Sequence, residues 1–384
     1  MESTISQSRG QYLHGPKDLR LEARELGVLS SDNVRIQIRS TTLCGSDVHY
    51  FKYSQNGSIK IKEPLCGGHE AAGVIAAAGQ SILEGGDLQI GDVVAIESGV
   101  PCEDCDKCKN GRYNVCPKLR FRSSGASFPH FQGTLQEFVD HPARWCHKLP
   151  SVLSCDDGAL LEPLAVSIHA TRKATLQHRS SCLVLGAGAV GLMCAAVTKI
   201  EHQCRVVIAD IDSGRVQFAL DEGFADAGFI VTPRSSLSTE KFSQAKDMAS
   251  EISRAKWPDE TLVDRPDVVF ECTGVETCAQ ASIYTVDGGG KVILVGMGSP
   301  VPSWPISEIT GREIDVVSVW RYANCYPRAI EIMEAVARHE IGPDVRKIIT
   351  HRFCGLESIP NAYDMASKTR DESSKLVIKA VVNL

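Results

Sequence analysis

Along the 384-residue chain, hydrophobic and polar positions change rhythm twice, and the changes divide the sequence into three stretches. The first runs to the neighbourhood of Glu162 and reads as β-rich. Val34, Ile36 and Ile38 alternate with polar residues, as in a half-buried strand, and the apolar run from Val93 to Ile96 follows a Gly-Asp turn. Glycines punctuate this stretch often, which suits a small barrel with irregular loops. From Cys182 the texture differs. CLVLGAGAVGLMCAAVTKI is a short apolar strand, a glycine turn and a helix-length apolar run. RVVIAD follows as a strand, SGRVQFALDEG as a helix and AGFIVT as a strand, while DVVFECTG and KVILVGMG supply two more strands with a helical segment between them. Such alternation predicts an α/β, doubly wound parallel sheet. The polar stretch Pro233 to Asp264 exceeds a typical connection and is expected to hold a helix of its own.

The tail returns to a different pattern. A helix with apolar Ile330, Ile332, Met333 and Val336 precedes the strand-like RKIITHRF, and KLVIKAVV comes last. These segments are expected to rejoin the β-rich part, giving one domain from residues 1–164 and 323–384 and a second from 165–322.

Composition narrows the function classes. Residues are 43% hydrophobic and 23% charged, and the net charge of −6 argues against a general nucleic-acid or anionic-membrane surface. No apolar run reaches the length of a membrane span, MESTISQSRG lacks the apolar core of a secretory leader, and VVNL is no peroxisomal address. The expected setting is cytoplasmic, with a small-molecule partner and neither nucleic acid nor membrane. Fifteen cysteines without a leader point to reduced thiols and metal ligands rather than to a disulfide framework.

Gly186-Ala187-Gly188-Ala189-Val190-Gly191 follows a strand and opens a helix, and Asp210 ends the next strand nineteen residues past Gly191. This is the dinucleotide fingerprint. Gly186 allows the tight turn, Gly188 the approach of backbone to pyrophosphate, and Gly191 close packing of helix on strand. The helix N-terminus favours the anionic diphosphate. Asp210 would accept from the ribose hydroxyls and repel a 2′-phosphate, favouring NAD over NADP. Arg215 is a further candidate, either over the adenine or as a solvated helix residue.

Cys102, Cys105, Cys108 and Cys116 crowd into fifteen residues. Four thiolates so close fit a closed tetrahedral zinc that fixes a loop, with an iron–sulfur cluster as the competing metal. A second set is scattered: Cys44 in LCGSDVHY, His69 and Glu70 in GGHEAAG, Glu162 in LLEPLAV. Singly, each has an ordinary reading as a buried thiol, a core histidine or a surface carboxylate. Together they make a mixed site of the kind that leaves a zinc position for water or substrate.

The combination of CGSDVHY, GHEAAG, the four-cysteine loop, LLEPLAVSIHA, GAGAVGL, ECTG and VWRY resembles the zinc-dependent medium-chain dehydrogenase/reductase superfamily. Within it the match is to the sorbitol (L-iditol), L-arabinitol and xylitol dehydrogenases, in order from the first strand to the last. The four-cysteine loop brings it nearer the microbial and fungal enzymes than the mammalian ones, which lack that loop. The resemblance implies a GroES-like catalytic domain, a Rossmann domain, NAD, two Zn2+ per chain and commonly a homotetramer. It also implies NAD-dependent oxidation of a polyol's secondary hydroxyl to a ketose.

By that resemblance Cys44, His69 and Glu70 bind the catalytic zinc, with Glu162 a ligand or bonded to the zinc water. Asp47 falls behind His69 to orient its ring. Ser46 and His49 fall on the proton path, the alternative being a capping serine and a surface histidine. Arg321, Tyr322 and Tyr50 match contacts to the hydroxyl-rich substrate, and Phe121 an apolar wall. Val190, Val295, Gly296, Met297, Val319 and Trp320 fall at positions lining the cofactor. Trp320 stands where the sorbitol enzymes tend to have phenylalanine. That substitution leaves open an oxidoreductase acting on another secondary alcohol in a secondary-metabolite pathway. A non-catalytic descendant of the scaffold is the third reading, against which every candidate ligand and glycine is retained.

Overall fold

The computed structural model describes residues 5–232, 241–298 and 301–384. The chain separates into two compact units: one comprises Met1–Glu162, Tyr326–Arg338 and Arg346–Leu384, the other Pro163–Cys325 and His339–Val345.

The first unit is built on a seven-stranded sheet. Its path runs Cys146–Lys148, Val93–Ile96, Glu70–Ala78, Asn33–Thr42, Lys379–Asn383 and Ile349–Cys354, and Phe138–Pro142 also pairs with Asn33–Thr42. Val34, Ile36 and Ile38, the alternating residues of Asn33–Thr42, are fully buried with Ile75, Val94, Ile96 and Val139. Their burial removes apolar surface from water, roughly 1.5–3 kcal/mol per side chain. Much of the strand's other face is buried too. Arg35 lies there, 7% exposed, and its guanidinium donates to both carboxylate oxygens of Asp140 at 2.7 and 2.9 Å. A second core, including Tyr12, Phe51, Leu135, Tyr363 and Val382, packs the Gly45–Tyr53 and Ile359–Ala366 helices onto the same unit.

Register matters most at Asn33–Thr42. Against Glu70–Ala78 it runs antiparallel with Thr42 opposite Glu70. Against Lys379–Asn383 it is again antiparallel, with Thr42 opposite Val381. The end of one strand thus brings residues near positions 44, 70 and 379 to a single place.

The second unit carries a six-stranded, wholly parallel sheet. Its order is Ala227–Ile230, Arg205–Asp210, Ser181–Leu185, Val268–Glu271, Lys291–Leu294, Asp315–Ser318. In chain order that is third, second, first, fourth, fifth, sixth, the Rossmann arrangement, whose order reverses beside the first strand. Five of these strands are legible in the hydrophobic pattern. The sixth, Asp315–Ser318, is not, because an edge strand needs only one neighbour and this one is largely exposed. The polar stretch does hold a helix, Lys241–Ser253, whose Ala245, Met248, Ala249 and Ile252 are buried; residues 233–240 lie outside the described part. Among the described residues no helix is long and apolar enough to cross a membrane.

One buried group couples the first unit's stability to pH. His141 is fully buried, accepts from the Arg122 guanidinium at Nδ1 and donates Nε2–H to the carbonyl of Glu97 at 3.0 Å. Burial, reinforced by the Arg122 charge, holds its pKa well below the usual histidine value. The folded state therefore keeps His141 neutral while the unfolded chain takes up a proton below about pH 6.5. Its contribution is present above that pH and lost on acidification, at up to about 1.4 kcal/mol per pH unit. Urea midpoints at pH 7 and pH 5 should accordingly lie closer together in His141→Asn than in the wild type. Equal separations would contradict this assignment.

Candidate functional site

The Asn33–Thr42 strand ends into Cys44, which caps the helix Gly45–Tyr53 with extended backbone. The first turn of that helix supplies Asp47, whose carboxylate accepts from Cys44 N–H at 3.1 Å and from Gly68 N–H at 3.0 Å. Those two bonds tie the start of the helix to the segment leading into Glu70–Ala78. The donor atoms of Cys44, His69 and Glu70 all lie within 4.8 Å of one another, with His69 and Glu70 buried.

The chemistry of this donor set fits zinc. Thiolate, imidazole and carboxylate are its three protein ligands, at roughly 2.0–2.3 Å each. His69 Nδ1 lies 2.8 Å from Ser123 Oγ and 3.4 Å from Asp47 Oδ2, so its Nε2 is the nitrogen left for a metal. Burial opposes charge on His69, but the adjacent carboxylate of Asp47 raises it well above its usual pKa. Burial likewise opposes ionisation of Asp47, yet His69 and the two N–H groups hold it below the ordinary carboxylate range.

Glu70 is engaged on both oxygens. Lys379 Nζ donates at 2.7 and 2.6 Å, and the Thr42 hydroxyl donates to Oε2. Lys379 and Glu70 are 4% and 1% exposed, a fully desolvated ion pair. Burial lowers the Lys379 pKa, but Glu70, Cys44 and Glu162 outweigh it and leave the ammonium above its ordinary value. Glu162 itself is buried in the first turn of Leu161–Ala174, outside the three-donor group yet near enough to act on Lys379.

Other residues singled out from the sequence take varied positions. Phe121 is buried with its ring 5.4 Å from that of His69. The Tyr50 hydroxyl accepts from Gly125 N–H at 3.1 Å. Ser46 is half-buried and His49 exposed, its ring 5.9 Å from that of Tyr53. Arg321 and Tyr322 belong to the second unit. Arg321 takes a left-handed backbone, φ +52°, and its guanidinium stacks 4.8 Å over the half-exposed Trp320 ring, while Tyr322 is buried.

Sequence reasoning missed Lys379, Thr42 and Ser123. The signal for Lys379 was present: a lysine in the middle of the apolar run VIKAVV, on the same strand face as buried Val377 and Val381, demands a buried counter-charge. Nothing local distinguishes Ser123.

The second candidate cluster is the cysteine loop. Its sulfurs are separated by 3.5 Å (Cys105 to Cys108), 3.9 Å (Cys105 to Cys116) and 3.5 Å (Cys116 to Cys102). A tetrahedron with Zn–S near 2.3 Å has edges of about 3.8 Å, and a disulfide is far shorter. N–H groups of Asp104 and Cys105 pull the Cys102 thiol down to about 6, toward the thiolate form that a metal requires. The loop is moored by Tyr113 to Glu97 at 2.6 Å and by Glu103 to the Trp145 indole at 3.0 Å.

In the second unit, candidate cofactor residues sit at the carboxyl ends of the parallel strands. Gly186 follows Ser181–Leu185 with φ +98°, and a Cβ on Gly191 would stand 1.8 Å from the Gly186 carbonyl, so neither position admits a side chain. A Cβ on Gly188 would lie 3.9 Å from Arg215 Nη1, which puts that guanidinium over the turn. Asp210 Oδ2 accepts from Ala187 N–H at 2.7 Å, fixing the carboxylate beside the glycine turn. Val295 and Gly296 donate to the Glu271 carbonyl at 2.9 and 2.8 Å, and Val319 donates to that of Leu294 at 3.0 Å. Val190 is half-buried on the helix after the turn, and Met297 is exposed. Ligands of such sheets bind outside these strand ends, where the order reverses.

Residues 30–151 match the alcohol dehydrogenase GroES-like domain family, and residues 189–335 the zinc-binding dehydrogenase family. The chain is 37% identical to the sorbitol dehydrogenase of Bos taurus over 93% of its length and 92% of that protein. It is 33% identical to the sorbitol dehydrogenase of Arabidopsis thaliana, covering 97% and 94% of the two chains. Among solved structures it resembles an Escherichia coli oxidoreductase/dehydrogenase of unknown specificity involved in membrane biogenesis. There the TM-score is 0.81 at 27% identity, over 98% of this chain and 99% of that one.

The His69–Asp47 contact generates a measurable expectation. Asp47→Asn keeps the shape but removes the charge behind the ring, and should weaken metal binding at the Cys44 group by about 10- to 100-fold in chelator competition. Metal at the cysteine loop should be unaffected. Unchanged affinity at both sites would contradict the role given to Asp47.

Proposed function

The chain belongs to the zinc-dependent medium-chain dehydrogenase family, and within it we propose an NAD-dependent polyol dehydrogenase that oxidises a secondary hydroxyl to a ketone. The observation that carries this reading is the buried Cys44, His69 and Glu70 group, whose donor atoms lie within 4.8 Å of one another. The sorbitol dehydrogenase relatives support the substrate class.

Cys44, His69 and Glu70 would hold a zinc ion, which would supply Lewis acidity toward a substrate hydroxyl. The chain's own residues do the rest. Asp47 and Ser123 hold the His69 ring. Ser46 and His49, three positions apart on one helix face, lead from a half-buried hydroxyl to an exposed imidazole and carry the released proton outward. Phe121 excludes water beside His69. Arg321 and Tyr322 offer a guanidinium fork and a phenol, suited to a ligand bearing many hydroxyls.

For the cofactor, the strand-end glycine turn receives a diphosphate, and the Asp210 carboxylate beside it disfavours a 2′-phosphate. Cys102, Cys105, Cys108 and Cys116 would hold a second zinc that fixes the loop and leaves no open position for chemistry.

The test is NAD reduction with sorbitol, xylitol, L-arabinitol, galactitol and ethanol, repeated with NADP. Strong turnover of at least one polyol with NAD, and little with ethanol or NADP, is expected; inactivity on every polyol would contradict the substrate class. Asp210→Ala should narrow the preference for NAD over NADP at least tenfold. An unchanged preference would remove Asp210 as its determinant.

A further inference from the structure

Glu70 has fewer free lone pairs than a carboxylate ligand ordinarily offers. A carboxylate presents about four acceptor positions. Lys379 Nζ occupies one on each oxygen, at 2.7 and 2.6 Å, and the Thr42 hydroxyl takes another on Oε2. About one remains for a metal. The lysine's place is not accidental to a flexible stem. It lies at the start of Lys379–Asn383, whose register against Asn33–Thr42 is fixed by Val381 opposite Thr42 and by Leu43 N–H donating to the Ala380 carbonyl at 3.0 Å. The ammonium is 4% exposed, so it competes for Glu70 without help from solvent.

We infer that Lys379 is a positioning residue that limits Glu70 to a single bond to the metal and so keeps a coordination position open for the substrate oxygen. This rests on the reading of Cys44, His69 and Glu70 as metal ligands. Lys379 acts by competition: it withdraws lone pairs that would otherwise close the site. Its role thus differs from that of Asp47, which strengthens its ligand. Loss of Lys379 therefore makes the metal harder to remove and the enzyme slower.

The experiment uses full-length enzyme loaded with cobalt(II) and compares wild type, Lys379→Met, Lys379→Arg, Glu70→Gln and the Glu70→Gln/Lys379→Met double variant. Visible spectra and the rate of cobalt removal by a chelator are read without substrate. Lys379→Met should change the cobalt bands, slow metal release by about tenfold and lower kcat by about 10- to 100-fold. Lys379→Arg should restore wild-type bands, and the double variant should match Glu70→Gln in both readouts. Unchanged bands with equal or faster release in Lys379→Met would overturn the inference. If Lys379→Met does not fold, the last two comparisons decide it: a double variant that departs from Glu70→Gln shows Lys379 acting other than through Glu70. If wild type takes up one cobalt whose spectrum is indifferent to Cys44→Ser, the metal reading itself fails, and the stoichiometry separates that result from the others.

Discussion

The register of one strand, Asn33–Thr42, governs the chemistry of the first unit. Because Thr42 stands opposite both Glu70 and Val381, three segments distant in sequence end at one point. A slip of one residue against either neighbour would turn its side chains to the opposite face and disperse the group. What prevents the slip is burial on both faces: Val34, Ile36 and Ile38 on one side, and on the other Arg35 clamped to Asp140. Packing thus fixes register, and register assembles the donors.

Concentrating charge at that point has a cost that the surroundings offset. Asp47, Glu70, Glu162 and Lys379 are all buried, and buried ions survive only when paired or hydrogen-bonded. Asp47 is held by two backbone N–H groups and His69; Glu70 by Lys379 and Thr42. Such pairs add little net stability compared with an apolar core. Their presence is better understood as orientation of ligands, which a metal site needs and a core does not. In the second unit the constraint is steric instead. Gly186 and Gly191 let the turn and helix close on the strand, and the Ala187 N–H locks Asp210 beside them.

How much of this was legible depends on distance along the chain. The glycine turn with Asp210 and the four cysteines declare themselves locally, because their chemistry requires fixed short spacing. The alternation of strand and helix gave five of the six parallel strands; Asp315–Ser318 escaped because an exposed edge carries little hydrophobic signal. Cys44, His69 and Glu70 follow no spacing rule, so their donor chemistry only suggested a shared site and the resemblance assigned them to it. Lys379 lies 309 positions from Glu70, and only the sheet order makes them neighbours. Ser123 and Arg122 are nonlocal over shorter spans: one reaches His69 and the other His141 from a loop whose sequence, RSSG, reads as an ordinary turn.

The two donor clusters are suited to two metals with separate duties, one chemical and one structural. Zinc per chain separates them, measured by elemental analysis in the purified wild type, Cys44→Ser and Cys105→Ser, alongside thermal unfolding. Two zincs are expected in the wild type and one in each variant. Cys44→Ser should abolish turnover with little change in unfolding temperature, while Cys105→Ser should lower that temperature. A wild type holding a single zinc that Cys44→Ser leaves in place would contradict the division of duties.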